Sequence, residues 1–259
     1  MQGILLHDGR WSKGYKIGSS FFKYFNYKNE DALLREVTYS NLAYTNAINT
    51  PKVLSHGYDK TLDKLYIEYS YKHNQNITVN NNFLYDICHI LNKMKSIQFI
   101  TNTDTYWNDK LLVEFEFTLK NIVLSSIKLE FFSYDKCILF LKNLECKTFI
   151  HGDFSLDNIF LSDGKITIVD FQHSCIGPEN WDLSYLLATI DLTNYITKYI
   201  QSLNIDIQIL IYIISLIRLG RSIRKNENIK ERYEKCILLE KLIFKNMKES
   251  YNESFISCT

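Results

Sequence analysis

The sequence predicts an α+β protein of two lobes: a small mixed β-sheet lobe over residues 1–70, then a larger, mainly helical lobe over residues 71–259. Three observations predict it. Short apolar runs separated by Gly9, Gly14 and Gly18 open the chain, as strands of a small sheet do. From Phe83 onward apolar residues recur at helical spacing. One Asp-Gly turn, Ser162-Asp163-Gly164, stands between two strand-like runs and interrupts the helices with a hairpin.

In order, strands are expected at Gly3 to Leu6, Tyr15 to Ile17 and Phe21 to Phe25. Asp31 to Tyr44 reads as a helix, with Leu34, Val37 and Leu42 near one face and Asn29 or Asp31 as cap. A strand starts at Pro51 to Leu54, His56 to Asp59 turns the chain, and Leu65 to Tyr69 is the next strand. His73 to Asn82, polar and Asn-rich, is a loop. Helices follow near Phe83–Ile97, Leu111–Val123, Tyr134–Leu144, Leu183–Tyr199, Asp206–Ser222 and Glu231–Lys248. No repeat or low-complexity linker divides them.

Composition narrows the function. The formal net charge is +1, which argues against electrostatic binding of nucleic acid. Six cysteines, Cys88, Cys137, Cys146, Cys175, Cys236 and Cys258, form no C-x-x-C pair and read as reduced thiols of a cytoplasmic protein. The most apolar segment, Ile209 to Ile217, is too short to cross a bilayer and reads as a buried helix. No membrane anchor, signal peptide or obligate protein partner is evident.

The chemistry concentrates between His151 and Asp182. The run His151-Gly152-Asp153-Phe154-Ser155-Leu156-Asp157-Asn158 precedes Ile166-Thr167-Ile168-Val169-Asp170-Phe171. Protein kinases carry an Asp, an Asn five positions on and a later Asp-Phe in the same order. There one Asp positions or deprotonates the attacking hydroxyl, while the Asn and second Asp hold Mg²⁺ on the nucleotide phosphates. Here Asp153 is the candidate catalytic residue, and Asn158 and Asp170 the candidate metal ligands. The expected hairpin runs from Asn158 back to Asp170 and brings both to one end of a rigid ribbon. Without that spacing, the same residues would be an ordinary surface hairpin, since Asp and Asn are common in turns.

A nucleotide site also needs a cation from the small lobe. Lys23 lies inside the apolar strand Phe21 to Phe25, and Glu36 lies on the next helix, a pairing that orients a phosphate-binding lysine. Glu30 is the alternative acid. The turn from Gly9 to Gly14 offers backbone N–H groups and the Ser12 hydroxyl to phosphate oxygens, a weak signal by itself. Ile17 and Phe160 are candidates for the walls around the base, or else plain core residues. Glu68 to Ser70 is the expected connector whose backbone reads the base edge.

His151-Gly152-Asp153 with Asn158, then Val169-Asp170-Phe171, Gly177-Pro178 and Trp181-Asp182-Leu183, resembles the aminoglycoside phosphotransferase and choline kinase-like family. The resemblance implies the two-lobed protein-kinase-like fold. It implies Asp153 as catalytic residue, Asn158 and Asp170 on Mg²⁺, and Lys23 on the phosphates, oriented by Glu36. His151 and Asp182 would support the catalytic loop. Gly152 stands where protein kinases have Arg, and no A-P-E segment follows Asp170, which points away from a protein kinase. Phe154 departs from the polar residue that often follows the catalytic Asp in the resembled family.

The expected activity is transfer of the γ-phosphate of ATP or GTP to a hydroxyl of a small metabolite: a sugar, amino sugar or amino alcohol. Aminoglycoside antibiotics come second; a protein kinase and a nucleotide-binding pseudokinase are the remaining alternatives. Asp86, Asp104, Asp109, Glu114, Glu116, Glu179 and Asp191 form no tight cluster for a cationic acceptor. Trp107, Trp181 and Tyr185 read first as core. Arg218, Arg221 and Arg224 share one side of a helix, suiting an anionic substrate or a solvated face.

Overall fold

The computed structural model describes residues 3–9, 11–98 and 106–244. Arg10, Asp104, Cys258 and the end of the last expected helix lie outside them. The chain forms two compact units, one drawn from residues 1–100 and 148–175, the other from 101–147 and 176–259.

The first unit holds the expected small sheet. Its strands are β1 (Ile4–Asp8), β2 (Ser12–Ile17), β3 (Ser20–Phe25), β4 (Val53–Asp59) and β5 (Lys64–Ser70), in the order β1-β2-β3-β5-β4. Every one of these pairings is antiparallel. Alternation along β5 sends Leu65, Ile67 and Tyr69 inward, as a half-buried strand requires. They meet Phe25, and Leu33 and Val37 of α1 (Glu30–Thr45). Asn29 caps α1, its Oδ1 accepting the Ala32 N–H at 3.0 Å. Leu33 is the buried residue of the first turn and Leu34 is exposed, a one-residue rotation from the expected face. His56–Asp59 is strand, not turn; the chain reverses one step later, at 60–63, where Asp63 takes φ 53° and the Asp59 side chain accepts two backbone N–H groups.

After β5 an irregular stretch leads to α2 (Asn81–Lys95), capped by Asn80. The unit resumes at Thr148, within β6 (Cys146–Ile150), a strand absent from the expected elements. The predicted hairpin forms: β7 (Ile159–Ser162) pairs with β8 (Lys165–Ile168), and Ile159 faces Ile168. Asp163 and Gly164 both have positive φ, 53° and 70°, as a type I′ turn demands. β8 stops at Ile168 instead of running to Phe171, because Asp170 turns left-handed and Phe171–His173 forms a 3₁₀ turn. β9 (Cys175–Pro178) follows.

The second unit is helical, as expected. A π-helical turn, Trp107–Leu112, runs into α3 (Val113–Val123), followed by α4 (Tyr134–Lys142). Later come α5 (Trp181–Thr189), α6 (Asn194–Ser202), α7 (Ile205–Lys225) and α8 (Ile229–Phe244). The single helix expected over 183–199 is therefore two, with Thr193 capping the second through its hydroxyl. α7 is buried nearly all round, from Ile209 to Leu219, and packs on α3, α5 and α8. Trp107 and Trp181 meet edge to face at 4.6 Å, and with Tyr185 they are fully or nearly fully buried. They are core aromatics and not an open box for a cation. Among the described residues no helix is long and apolar enough to cross a membrane, and Cys88, Cys137, Cys146, Cys175 and Cys236 are not joined in disulfides.

Candidate active site

Lys23, Glu36, Asp153, Asn158 and Asp170 all fall in the first unit. Lys23 sits on β3 opposite Gly14 and Ile67 and is buried, with the Phe25 ring 5.4 Å from its Nζ. Its Nζ donates to Glu36 Oε2 at 2.7 Å and to Asp170 Oδ1 at 3.0 Å. Glu36 reaches it from α1 and is itself 1% exposed, so the pair is a true interior ion pair. Glu30, the alternative acid, is exposed at the start of α1.

Burial and charge act against each other on this trio. Burial alone would lower the Lys23 pKa, but the Asp170 and Glu36 carboxylates outweigh it and hold Lys23 above the ordinary lysine range. Burial raises Glu36, with Lys23 offsetting part of that rise. Burial also opposes ionisation of Asp170, yet Lys23 prevails and keeps its carboxyl below the usual range. A cation and a carboxylate thus stay charged in the interior, each dependent on the other. Tyr69, expected only as part of a strand and of the Glu68 to Ser70 connector, donates its hydroxyl to Glu36 Oε1 at 2.7 Å and fixes the second oxygen of that carboxylate. Its inward position in the alternation of β5 is the only sequence signal it has.

The loop from His151 to Asn158 is held by its own polar groups. The buried His151 ring bonds through Nε2 to the Val169 carbonyl at 2.8 Å and accepts the Asp153 N–H at Nδ1, 3.3 Å away. That pattern assigns the proton to Nε2 and leaves the imidazole occupied on both nitrogens, a supporting role. Phe154 and Phe171 pack edge-on against the same ring at 5.7 and 4.8 Å. The polar residue of the resembled family is thus replaced by a fully buried Phe154 that packs on the histidine.

Asn158 Nδ2 donates to the Asp153 carbonyl at 2.8 Å and to Asp153 Oδ2 at 3.3 Å, so its Oδ1 is directed away from the loop. Asp170, left-handed at φ 68°, presents one carboxylate oxygen to Lys23 and leaves the other for a second partner. An amide oxygen and a carboxylate oxygen are the hard donors that Mg²⁺ takes, few in number, with phosphates and water completing the shell. The residues therefore fit that ion. Among the described residues no group of three or more His, Cys, Asp and Glu side chains is placed to hold a metal.

Gly152 has a local cause. Its φ is +84°, and a Cβ built there would lie 2.2 Å from the His173 carbonyl oxygen. No arginine, nor any side chain, fits where protein kinases carry one. Asn49, also unforeseen, ties the hairpin down: its side chain donates to the Ile166 carbonyl at 3.0 Å and contacts Thr167 Oγ1 at 2.8 Å, and its carbonyl accepts the Ile168 N–H.

The remaining expected residues are placed differently. Ser12 is buried at the start of β2, opposite Phe25, and its carbonyl accepts the Gly9 N–H across the turn. Ile17 and Phe160 are half-buried, at the end of β2 and on β7. Glu68 and Ser70 lie inside β5, not on a connector. The Glu68 carboxylate takes the Ser20 and Ser55 hydroxyls, at 2.7 and 2.8 Å, and so links three strands. Ser70 is bonded to Lys52 through both its N–H and its hydroxyl. Asp182 is buried in the first turn of α5, in the second unit.

The phosphotransferase enzyme family model matches residues 14–204. No curated protein matches the sequence. Several solved structures share the fold. A GDP and kanamycin complex of aminoglycoside phosphotransferase APH(2")-IIia is 16% identical, with 93% of each chain covered and a TM-score of 0.60. A ternary complex of aminoglycoside phosphotransferase APH(4)-Ia with AMP-PNP and hygromycin B is 11% identical, again with 93% of each covered, at 0.64. A choline/ethanolamine kinase family protein from Mesorhizobium loti is 15% identical over 92% of this chain and 88% of that one, at 0.63. The match over residues 14–204, which takes in Lys23, Glu36, the His151 to Asn158 loop and Asp170, makes this chain a member of the phosphotransferase enzyme family, with the α+β, protein-kinase-like fold of its kinases.

Proposed function

We propose that the chain is a kinase that moves the γ-phosphoryl group of ATP or GTP to a hydroxyl of a small metabolite: a sugar, amino sugar or amino alcohol. The observation that carries this reading is the Lys23–Glu36–Asp170 ion cluster, in the same unit as Asp153 and Asn158. Lys23 binds the phosphates and Glu36 aims it, with Tyr69 holding Glu36 in turn. Asn158 and Asp170 would hold Mg²⁺, which when bound supplies positive charge to the phosphates. The Asp153 carboxylate accepts a hydrogen bond from the acceptor hydroxyl and directs its oxygen at the γ-phosphorus. The new O–P bond forms as the bond to the β-phosphate oxygen breaks, and the hydroxyl proton passes toward Asp153. Positioning and fixed charge carry most of the rate in such a site.

Ser12 and the turn around it would cover phosphate, and Ile17 and Phe160 would flank the base. With Glu68 and Ser70 engaged in the sheet, base recognition falls to the chain following β5. In this reading residues 1–70 bind nucleotide and 71–259 carry catalysis and acceptor, with His151 and Asp182 supporting the loop. It places the protein in the cytoplasm, without nucleic acid, membrane or obligate protein partner. Structural neighbours in complex with kanamycin and hygromycin B support an aminoglycoside as the second reading of the acceptor.

Nucleotide consumption tests the proposal, with ATP and GTP and Mg²⁺ against choline, ethanolamine, hexoses, amino sugars and aminoglycosides. A hit is expected, reduced about 10²–10⁴-fold in Asp153→Asn with nucleotide binding retained. Undiminished turnover in that variant overturns the role of Asp153. Nucleotide binding with no acceptor phosphorylated moves the reading to a protein substrate or a pseudokinase.

A further inference from the structure

We propose that the second unit carries an oxyanion-binding site, built by Arg218 on α7 and Arg232 and Lys235 on α8 against the ring of Tyr185, that takes the phosphate or carboxylate group of a small molecule. This goes beyond the phosphotransfer reading and does not depend on it.

α7 and α8 pack along one another, with Arg218 on the first and Arg232 and Lys235 on the second. Arg218 lies over the Tyr185 ring, 5.8 Å from its centroid, and its buried Nε has no hydrogen-bond partner. Lys235 is half-buried, and its ammonium donates to the Ile190 carbonyl just past α5. Arg232 is half-buried too. Among the described residues none of the three makes an ion pair. One turn along α7, Arg221 differs: its guanidinium meets Glu114 at 3.1 Å. The basic side of α7 noted in the sequence is therefore not one solvated face. Arg221 is neutralised, Arg224 is exposed, and Arg218 lies over Tyr185 of α5.

The three feel one another's charge. Burial, then Arg218 and Arg232, push Lys235 down to about 8, with Asp191 opposing. Burial and Arg218 likewise lower Arg232, with Glu231 opposing. Like charges partly out of water oppose folding, and among the described residues neither Asp191 nor Glu231 forms an ion pair with any of the three. A bound oxyanion supplies the opposite charge. Two guanidiniums and an ammonium offer charged donors, which suit phosphate or carboxylate oxygens. Half-burial fits a small ligand and not an extended polyanion.

Calorimetric titration of the full chain at fixed ionic strength tests this, with inorganic phosphate in one arm, malonate in a second and chloride as control. Saturable binding is expected in at least one of the first two arms, and whichever binds tighter identifies the group. Arg218→Gln and Arg232→Gln should each weaken it about tenfold or more, as loss of a charge-assisted hydrogen bond does. The ligand-free melting temperature of Arg232→Gln should rise, since repulsion is relieved; a purely structural arginine would make it fall. No saturable binding in either arm, an effect that chloride reproduces, or binding unchanged in both variants overturns the proposal. The last result would locate the anion elsewhere, as at Lys23.

Discussion

Lys23 shows how much a single side chain can hold. It stands between two carboxylates, Glu36 at 2.7 Å and Asp170 at 3.0 Å, with little water to replace either. Removing the cation strands a buried carboxylate, which costs about 3–5 kcal/mol. Lys23→Met should lower the denaturant midpoint accordingly. Adding Glu36→Gln should recover part of that loss, since an amide does not need the cation; no recovery would show that the pair is not coupled. Tyr69→Phe leaves one Glu36 oxygen without its donor and should raise the KM for nucleotide more than it lowers kcat, measured by steady-state kinetics. Gly152→Ala tests a different constraint. Its left-handed backbone costs a side chain about 1–2 kcal/mol, and contact with the His173 carbonyl adds to that. Stability and turnover should fall together. At this scale the sequence was informative where chemistry has a fixed spacing. Asp153, Asn158 and Asp170 stand out as candidates by their intervals, and Lys23 by its charge inside an apolar strand. Tyr69 and Asn49 do not, because a tyrosine and an asparagine carry no motif, and their partners lie 33 and 117 residues away.

Helices α3 and α7 approach so closely that Gly220 has no room for a methyl: a Cβ there would lie 2.3 Å from the Thr118 carbonyl oxygen. Gly220→Ala should force the helices apart and cost about 1–3 kcal/mol despite alanine's better helix propensity. A rise in melting temperature would show that the helices can slide. α8 contributes a pH dependence. Lys235 titrates near 8 when folded, against an ordinary value of 10.5. Below about 8 it is charged in both states, and the folded state bears the cost of its burial beside Arg218 and Arg232. Between 8 and 10.5 the unfolded chain binds more protons, so stability should rise with pH across that window, and Lys235→Met should flatten the rise. Cys236, raised by burial to about 12, remains protonated there. Element types were mostly legible, from the strands that open the chain to the long helix at Ile205–Lys225. Boundaries were less so. Nothing in the apolar pattern of 183–199 marks the break before Asn194, which follows from the capping hydroxyl of Thr193. β6 is five residues long and too short to announce itself beside the helix before it.

Across the molecule, all the candidate phosphotransfer residues except Asp182 lie in one compact unit that the chain leaves and re-enters. Nucleotide with Mg²⁺ should therefore slow amide exchange in β2, β3, α1 and residues 151–171, and protect α6 and α8 far less. At a hundredfold excess over Kd the gain in stability is about 2.7 kcal/mol. Uniform protection would argue against a nucleotide site confined to these elements. By itself the sequence determined the fold class and the hairpin between Asn158 and Asp170, and it marked a candidate set of groups for phosphoryl chemistry. Periodicity, a type I′ turn and the spacing of oxygen ligands are local properties, written in consecutive residues. Only the tertiary structure decided that Asp170 shares Lys23 with Glu36, that Gly152 must lack a side chain, that Glu68 serves the sheet, and that Arg218, Arg232 and Lys235 feel one another's charge across α7 and α8. Those are facts of packing. They depend on which surfaces lose water together, and burial is what turns a buried charge, a missing methyl or a cluster of like charges into a free energy.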